Sequence, residues 1–276
     1  MRPKLTFCIL TAGLVLMLST VSLGSFEELE TGITAQAMGG TGVVSSGVGA
    51  LFWNPASIAG SENAVVSIST RLPWTNFDFA TVGIDGAVPV SDSWTIGGTV
   101  RYFGGSLYSE QILALTAAGK LTKDMAFGIQ PVYCRASIED GISTYGSGGA
   151  IAFNTGFQVR LYSRWMIAAA VRNPFQARIG EGGEYLSRKI DVGVSYEPSP
   201  GLVTALALSR DFRGTRLHVG QSLPLGALRL MAGVQNSPAS VTGGFAVKIS
   251  GMEIEYAVQT HPQLDLTHQM GVIYGF

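Results

Sequence analysis

The sequence predicts an all-β chain, a transmembrane antiparallel β-barrel of about fourteen strands. Three observations lead there. The chain is apolar, with 46% hydrophobic and only 13% charged residues, yet past residue 24 it holds no apolar run of the roughly 18 residues a spanning helix needs. From residue 63 onward, apolar positions alternate with polar or small ones at period two, as in strands with two unlike faces. The final run, Gln269-Met270-Gly271-Val272-Ile273-Tyr274-Gly275-Phe276, alternates in the same way and closes on an aromatic. Such an ending has the form of the last strand of an outer-membrane barrel, with Phe276 as the signal read by the barrel-insertion machinery.

The start of the chain has the form of a secretory signal peptide over residues 1–24. Arg2 and Lys4 supply positive charge, Leu5 to Leu18 are largely apolar, and Ser22-Leu23-Gly24 offers small residues for cleavage. Cys8 lies within it, which leaves Cys134 alone and excludes an internal disulfide in the exported chain. Residues 25–62 do not alternate. They contain Ala37-Met38-Gly39-Gly40-Thr41-Gly42 and then Trp53-Asn54-Pro55-Ala56. The glycine cluster lacks the Gly-Lys-Ser/Thr ending of a phosphate loop. Asn54-Pro55 is a turn or helix-start signal, since proline fixes φ.

Residues 63–276 form the barrel, with strand candidates near 63–70, 77–89, 93–103, 109–120, 125–135, 149–161, 165–172, 188–197, 201–210, 215–222, 227–235, 239–249, 251–260 and 267–276. An even number suits a bacterial barrel. Counting back from a periplasmic C-terminus, the periplasmic turns are tight, while 136–148 and 173–187 read as long loops on the other side. The faces sort as well: Met252, Ile254, Tyr256 and Val258 oppose Glu253, Glu255, Ala257 and Gln259. Charges recur on one face of so many strands that this face must line a polar lumen, with the apolar face in lipid. Trp94, Phe127, Trp165, Tyr196, Tyr274 and Phe276 fall on the apolar face near the periplasmic ends, where an interfacial girdle belongs. Inward positions carry Arg101, Arg160, Arg172, Lys189, Arg216, Arg229 and Lys248 against Asp85, Asp191, Glu253 and Glu255. Both signs together can pair, hold a plug, or set ion selectivity. Pro131, in mid-strand, is a candidate site for a kink in the wall.

The Ala37-Met38-Gly39-Gly40 stretch followed by Asn54-Pro55-Ala56 resembles the N-terminus of PorV/PorQ-like proteins, within the broader FadL-type outer-membrane family. Phe153-Asn154-Thr155-Gly156-Phe157, Asp191-Val192-Gly193-Val194-Ser195-Tyr196 and Gly243-Gly244-Phe245 resemble strands of the same family. Asn154 and Gln221 depart from acidic residues usual there. The resemblance implies that residues 25–62 fold into the lumen as a hatch, with Met38, Gly39, Gly40, Trp53, Asn54, Pro55 and Ala56 as its motif. It also implies a FadL-like, hatch-gated channel for small hydrophobic molecules. The alternative is a PorV-like accessory of protein secretion that binds exported partners, and the third reading is a purely structural barrel.

No catalytic constellation, cofactor motif or metal-ligand spacing occurs. His218, His261 and His268 are the only histidines and have no ligand-spaced partners, and no Gly-x-Ser-x-Gly elbow is present. Glu253 and Glu255 share one face, as a paired acid and base would, but read more simply as lumenal charges. A net charge of −1 without a basic block argues against nucleic acid as a partner. The expected partners are outer-membrane lipid, the insertion machinery, and either a small hydrophobic ligand or exported proteins.

Overall fold

The computed structural model describes residues 26–27, 29–139, 143–180 and 183–276; the expected signal peptide lies outside them. Fourteen strands close into one antiparallel barrel. In order they are β1 (Val65–Leu72), β2 (Thr81–Pro89), β3 (Trp94–Gly104), β4 (Tyr108–Thr122), β5 (Met125–Glu139), β6 (Thr144–Leu161) and β7 (Trp165–Arg172), then β10 (Lys189–Ser199), β11 (Leu202–Asp211), β12 (Gly214–Leu225), β13 (Leu228–Asn236), β14 (Ala239–Ile249), β15 (Met252–Gln259) and β16 (Thr267–Gly275). Each pairs with its neighbour in sequence, β7 pairs with β10, and β1 pairs with β16 to close the ring. The connection between β7 and β10 carries a separate hairpin, β8 (Arg178–Ile179) and β9 (Glu184–Tyr185).

The alternation resolves into an apolar outside. Val82, Ile84 and Val88 of β2 are 44%, 45% and 54% exposed, whereas Asp85 among them is 3% exposed. A water-soluble barrel has the opposite arrangement; this surface suits hydrocarbon. At the rim that holds the start of β1 and the end of β16, every turn is four residues or shorter. Three aromatic pairs ring the outer surface at this near rim: Trp94–Phe127, Trp165–Tyr196 and Tyr274–Phe276, with centroids 5.6, 4.6 and 4.9 Å apart.

Some boundaries differ from the sequence reading. β2 begins at Thr81, because Phe77–Phe79 forms a short 3-10 turn whose first N–H groups are capped by Asn76 (Asp78 N to Asn76 Oδ1, 2.9 Å). Most of the expected 136–148 loop is strand: Ala136 pairs with Gly148 and Ile138 with Gly146. Glycines there weakened the alternation that marks strands. With 15, 15 and 18 residues, β4, β5 and β6 exceed the roughly 9–11 residues that cross a bilayer and project beyond the far rim. Pro131 interrupts the pairing of the wall. The β4–β5 ladder skips the Leu115–Pro131 and Thr116–Gln130 pairs and resumes in unchanged register, as expected of a residue with no N–H to donate.

Residues 29–58 run inside the barrel. Leu29, Ile33, Leu51 and Ile58 are at most 2% exposed. At several points where this segment touches the wall, the wall is glycine. A Cβ on Gly156 would lie 1.9 Å from Asn54 Oδ1, one on Gly220 2.2 Å from the Met38 carbonyl, and one on Gly233 2.2 Å from the Gly39 nitrogen. Apolar contacts seat it on several sides: Ile33, Met38, Val43 and Val44 against alanines of β7, β11, β14 and β15; Leu29 and Phe52 against β4–β6; and Val48, Leu51 and Ile58 against Ala87 and Ala118.

Candidate functional site

Local sequence shapes the inner segment. The five-residue helix α1 (Ile33–Ala37) stops because Gly39 and Gly40 adopt φ of +74° and +88°, a conformation glycine takes without strain. The Gly39 N–H donates to Thr242 Oγ1 (2.9 Å), whose hydroxyl donates to the Ala37 carbonyl (2.8 Å). The Gly39 carbonyl accepts from His218 Nδ1 at 2.6 Å. A carbonyl cannot donate, so His218 carries its proton on Nδ1. Asn54 is fully buried. Its Oδ1 accepts from the Ala56 N–H and caps a short 3-10 turn that Pro55 begins, while its Nδ2 donates to the Val43 carbonyl, both at 2.9 Å. The two halves of the segment are thus joined through one side chain.

The inward charges fall into groups. Arg101 grips Asp85 with both oxygens, 2.7 and 3.0 Å, and Thr99 donates to the same carboxylate at 2.8 Å. Arg172 and Lys189 meet Glu30 of the inner segment at 2.7 and 2.9 Å, and both also approach Asp191. Burial by itself would raise the Glu30 pKa, but Lys189 and Arg172 outweigh it and hold the carboxyl well below its usual value. The same cations sit over aromatics: Phe52 lies between Arg101 and Arg172, at 5.1 and 5.5 Å, and Lys189 lies 5.3 Å from the Trp53 ring. Such contacts stabilise by about 0.5–2 kcal/mol each, more when desolvated. Arg216 pairs with Asp211, beside Arg213. Arg229 bonds Glu253 and reaches Glu255, which also accepts from Thr34. Glu253 and Glu255 therefore share an arginine, and Glu255 and Arg229 both bond Thr34 of the inner segment.

Two of the inward charges are not enclosed. The Lys248 side chain is 73% exposed and the Arg160 side chain 41%, because both stand at the near rim, where they pair with Glu253 and Glu197. Residues central to the site were missed by alternation. Glu30 and Phe52 lie in the segment that does not alternate. Glu110, which accepts from the Phe26 N–H at 2.9 Å, and Asp211 stand near strand ends, where parity is hardest to assign.

Between the inner segment and the far rim lies a cavity of about 130 Å³. One flank is apolar, made by Phe52 with Ile112, Val132, Ala152 and Leu186. The other is polar, with Arg71, Lys189, Arg216, His218 and Gln259.

Searches against protein-family models and against curated proteins find no match. Solved structures do match. The CymD monoaromatic hydrocarbon channel aligns with a TM-score of 0.69 at 13% identity, over 91% of this chain and 99% of that one. The toluene transporter TbuX of Ralstonia pickettii aligns at 0.66 and 14% identity, over 90% and 99%. A FadL homologue of Pseudomonas aeruginosa aligns at 0.61 and 11% identity, over 90% and 98%. At such identities the likeness establishes a shared fold.

Proposed function

We propose that the protein is an outer-membrane channel for small hydrophobic molecules, in which residues 25–62 act as the hatch that gates passage. The cavity carries this reading. It has an apolar flank, lies directly on the hatch, and its volume of about 130 Å³ is near the roughly 150 Å³ that encloses one benzene ring. The barrels it resembles in fold include a monoaromatic hydrocarbon channel and a toluene transporter, so a single aromatic ring is the natural first ligand. The apolar belt supports a surround of outer-membrane lipid. Crystals soaked in bromobenzene test the site: bromine scattering is expected between Phe52, Ile112 and Val132, and Ala152→Trp should remove it. Bromine only on the outer surface would reject the cavity as the binding site.

A second reading, a PorV/PorQ-like secretion accessory, draws on the exposed aromatics beyond the far rim, Tyr145 at 69% and Phe175 at 81%. Cross-linking from these two positions to a protein exported by the same cell, together with absence of hydrocarbon binding, would favour it.

A further inference from the structure

On the outer face of β3 to β6, register aligns a polar row near the far rim. Tyr102 pairs with Gln111, Gln111 with Arg135, and Arg135 with Gly149. Tyr102, Gln111 and Arg135 are all exposed. Tyr133 stands in the next outward row, but a Cβ on Gly149 would lie 2.9 Å from its hydroxyl. The ring therefore leans up beside Gly149 and carries its hydroxyl to the level of Arg135. Toward the near rim the same face turns apolar: Val100, Leu113 and Ile151 share the row of Tyr133, and Leu115 lies beyond them. All four are exposed large hydrophobics.

The height of the polar row follows from strand geometry. Trp94 and Phe127 of the near-rim girdle precede Tyr102 and Arg135 by eight residues on the same strands and the same face. Eight residues at about 3.3 Å each, on strands tilted about 40°, rise roughly 20 Å, against an apolar belt about 25 Å tall. The Arg135 stem can lie on the belt while its guanidinium snorkels to the headgroups. That guanidinium has no hydrogen bond or ion pair among the described residues. Its planar fork matches the oxygens of a phosphate, which it can hold through two N–H groups.

We propose that Tyr102, Gln111, Tyr133 and Arg135 bind a phosphate on the glycolipid of the outer leaflet, with its acyl chains lying on Val100, Leu113, Leu115 and Ile151. Arg135 takes the phosphate. The Gln111 amide and the two tyrosine hydroxyls bond the sugar around it, which a phospholipid with a small headgroup lacks. The site rests on the outer-membrane placement proposed above, with the far rim in the outer leaflet, and is independent of what passes through the barrel.

Native mass spectrometry of the full protein, titrated with bisphosphorylated lipid A, dephosphorylated lipid A and phosphatidylglycerol, tests it. Bisphosphorylated lipid A should be retained in preference to the other two. Arg135→Gln should weaken that retention by about tenfold or more. Tyr102→Phe with Gln111→Leu should weaken it less, and Arg210→Gln, at another outward arginine, should leave it unchanged. Equal retention of the three lipids, full retention by Arg135→Gln, or an equal loss in Arg210→Gln would overturn the proposal. Should Arg135→Gln not fold, Arg135→Lys keeps the charge and loses the fork; weaker retention is expected, and full retention overturns the site. Cell fractionation separates the two premises. A barrel absent from the outer membrane overturns the placement and the site together, whereas one present there that ignores lipid A overturns the site alone.

Discussion

Glu30 joins two lumenal cations to the inner segment, and the sign of its pH dependence follows from its surroundings. Its carboxyl is depressed in the folded state, because Lys189 and Arg172 outweigh burial. Its stabilising effect is therefore complete above the ordinary carboxylate value near 4.5 and is lost only as pH falls below that value through the folded pKa. Protection of residues 29–40 against hydrogen exchange, corrected for the intrinsic pH dependence of amide exchange, should stay level from neutral pH down to that value and fall below it. Glu30→Gln should bring that loss of protection to neutral pH, by about 1.5–3 kcal/mol of local stability. Loosening that begins well above the carboxylate range would point to another group. Gly156 poses a steric question at the same scale. A valine there would strike Asn54, so Gly156→Val should loosen residues 42–58 by about 1–3 kcal/mol, while Gly243→Ala, which has room, should not. Exchange rates in the two variants check this.

At the scale of elements, the segment between β7 and β10 is pinned by Asn173. Its N–H donates to Asn154 Oδ1 (3.2 Å), its Nδ2 to the Leu186 carbonyl (2.8 Å), and its Oδ1 accepts from the Ala177 N–H (2.9 Å). Asn154 in turn bonds Gln130, which bonds Thr116, so one polar chain links β4, β5, β6 and this connection. Asn173→Ala should free residues 174–188, read as protease cleavage there with the barrel intact. Survival of the connection at wild-type rates would place the anchor elsewhere. Strand positions were largely legible: β7 and β14 lie where alternation puts them, because a two-faced wall must alternate. The β8–β9 hairpin and the extensions of β5 and β6 were not, because glycine-rich or very short pairings carry no contrast between faces. Parity also located Arg101, Arg172 and Asp191, yet it could not see Glu30 or Phe52, whose positions depend on the tertiary path of a segment without periodicity.

For the whole molecule, the apolar belt and closed ring were written in composition and period, whereas the filling of the lumen was not. The many glycines have a cause visible only in three dimensions, since several are the places where the inner segment lies against the wall. Ion pairs, cation–aromatic contacts and apolar clusters all tie that segment to the wall, so the proposed function requires the segment to shift for passage. The most direct measurement is uptake of a monoaromatic hydrocarbon by vesicles with a lipopolysaccharide outer leaflet. It would compare the full protein, a variant lacking residues 25–62, and a full protein whose inner segment is locked to the wall by a short bifunctional thiol cross-linker between Gln36→Cys and Gln259→Cys, positions whose native side chains bond each other. A hatch-gated transporter gives uptake with the full protein, none when the segment is locked, and a constitutive pore when it is removed. Equal uptake in the locked and free forms, or none in either, would contradict gating by this segment.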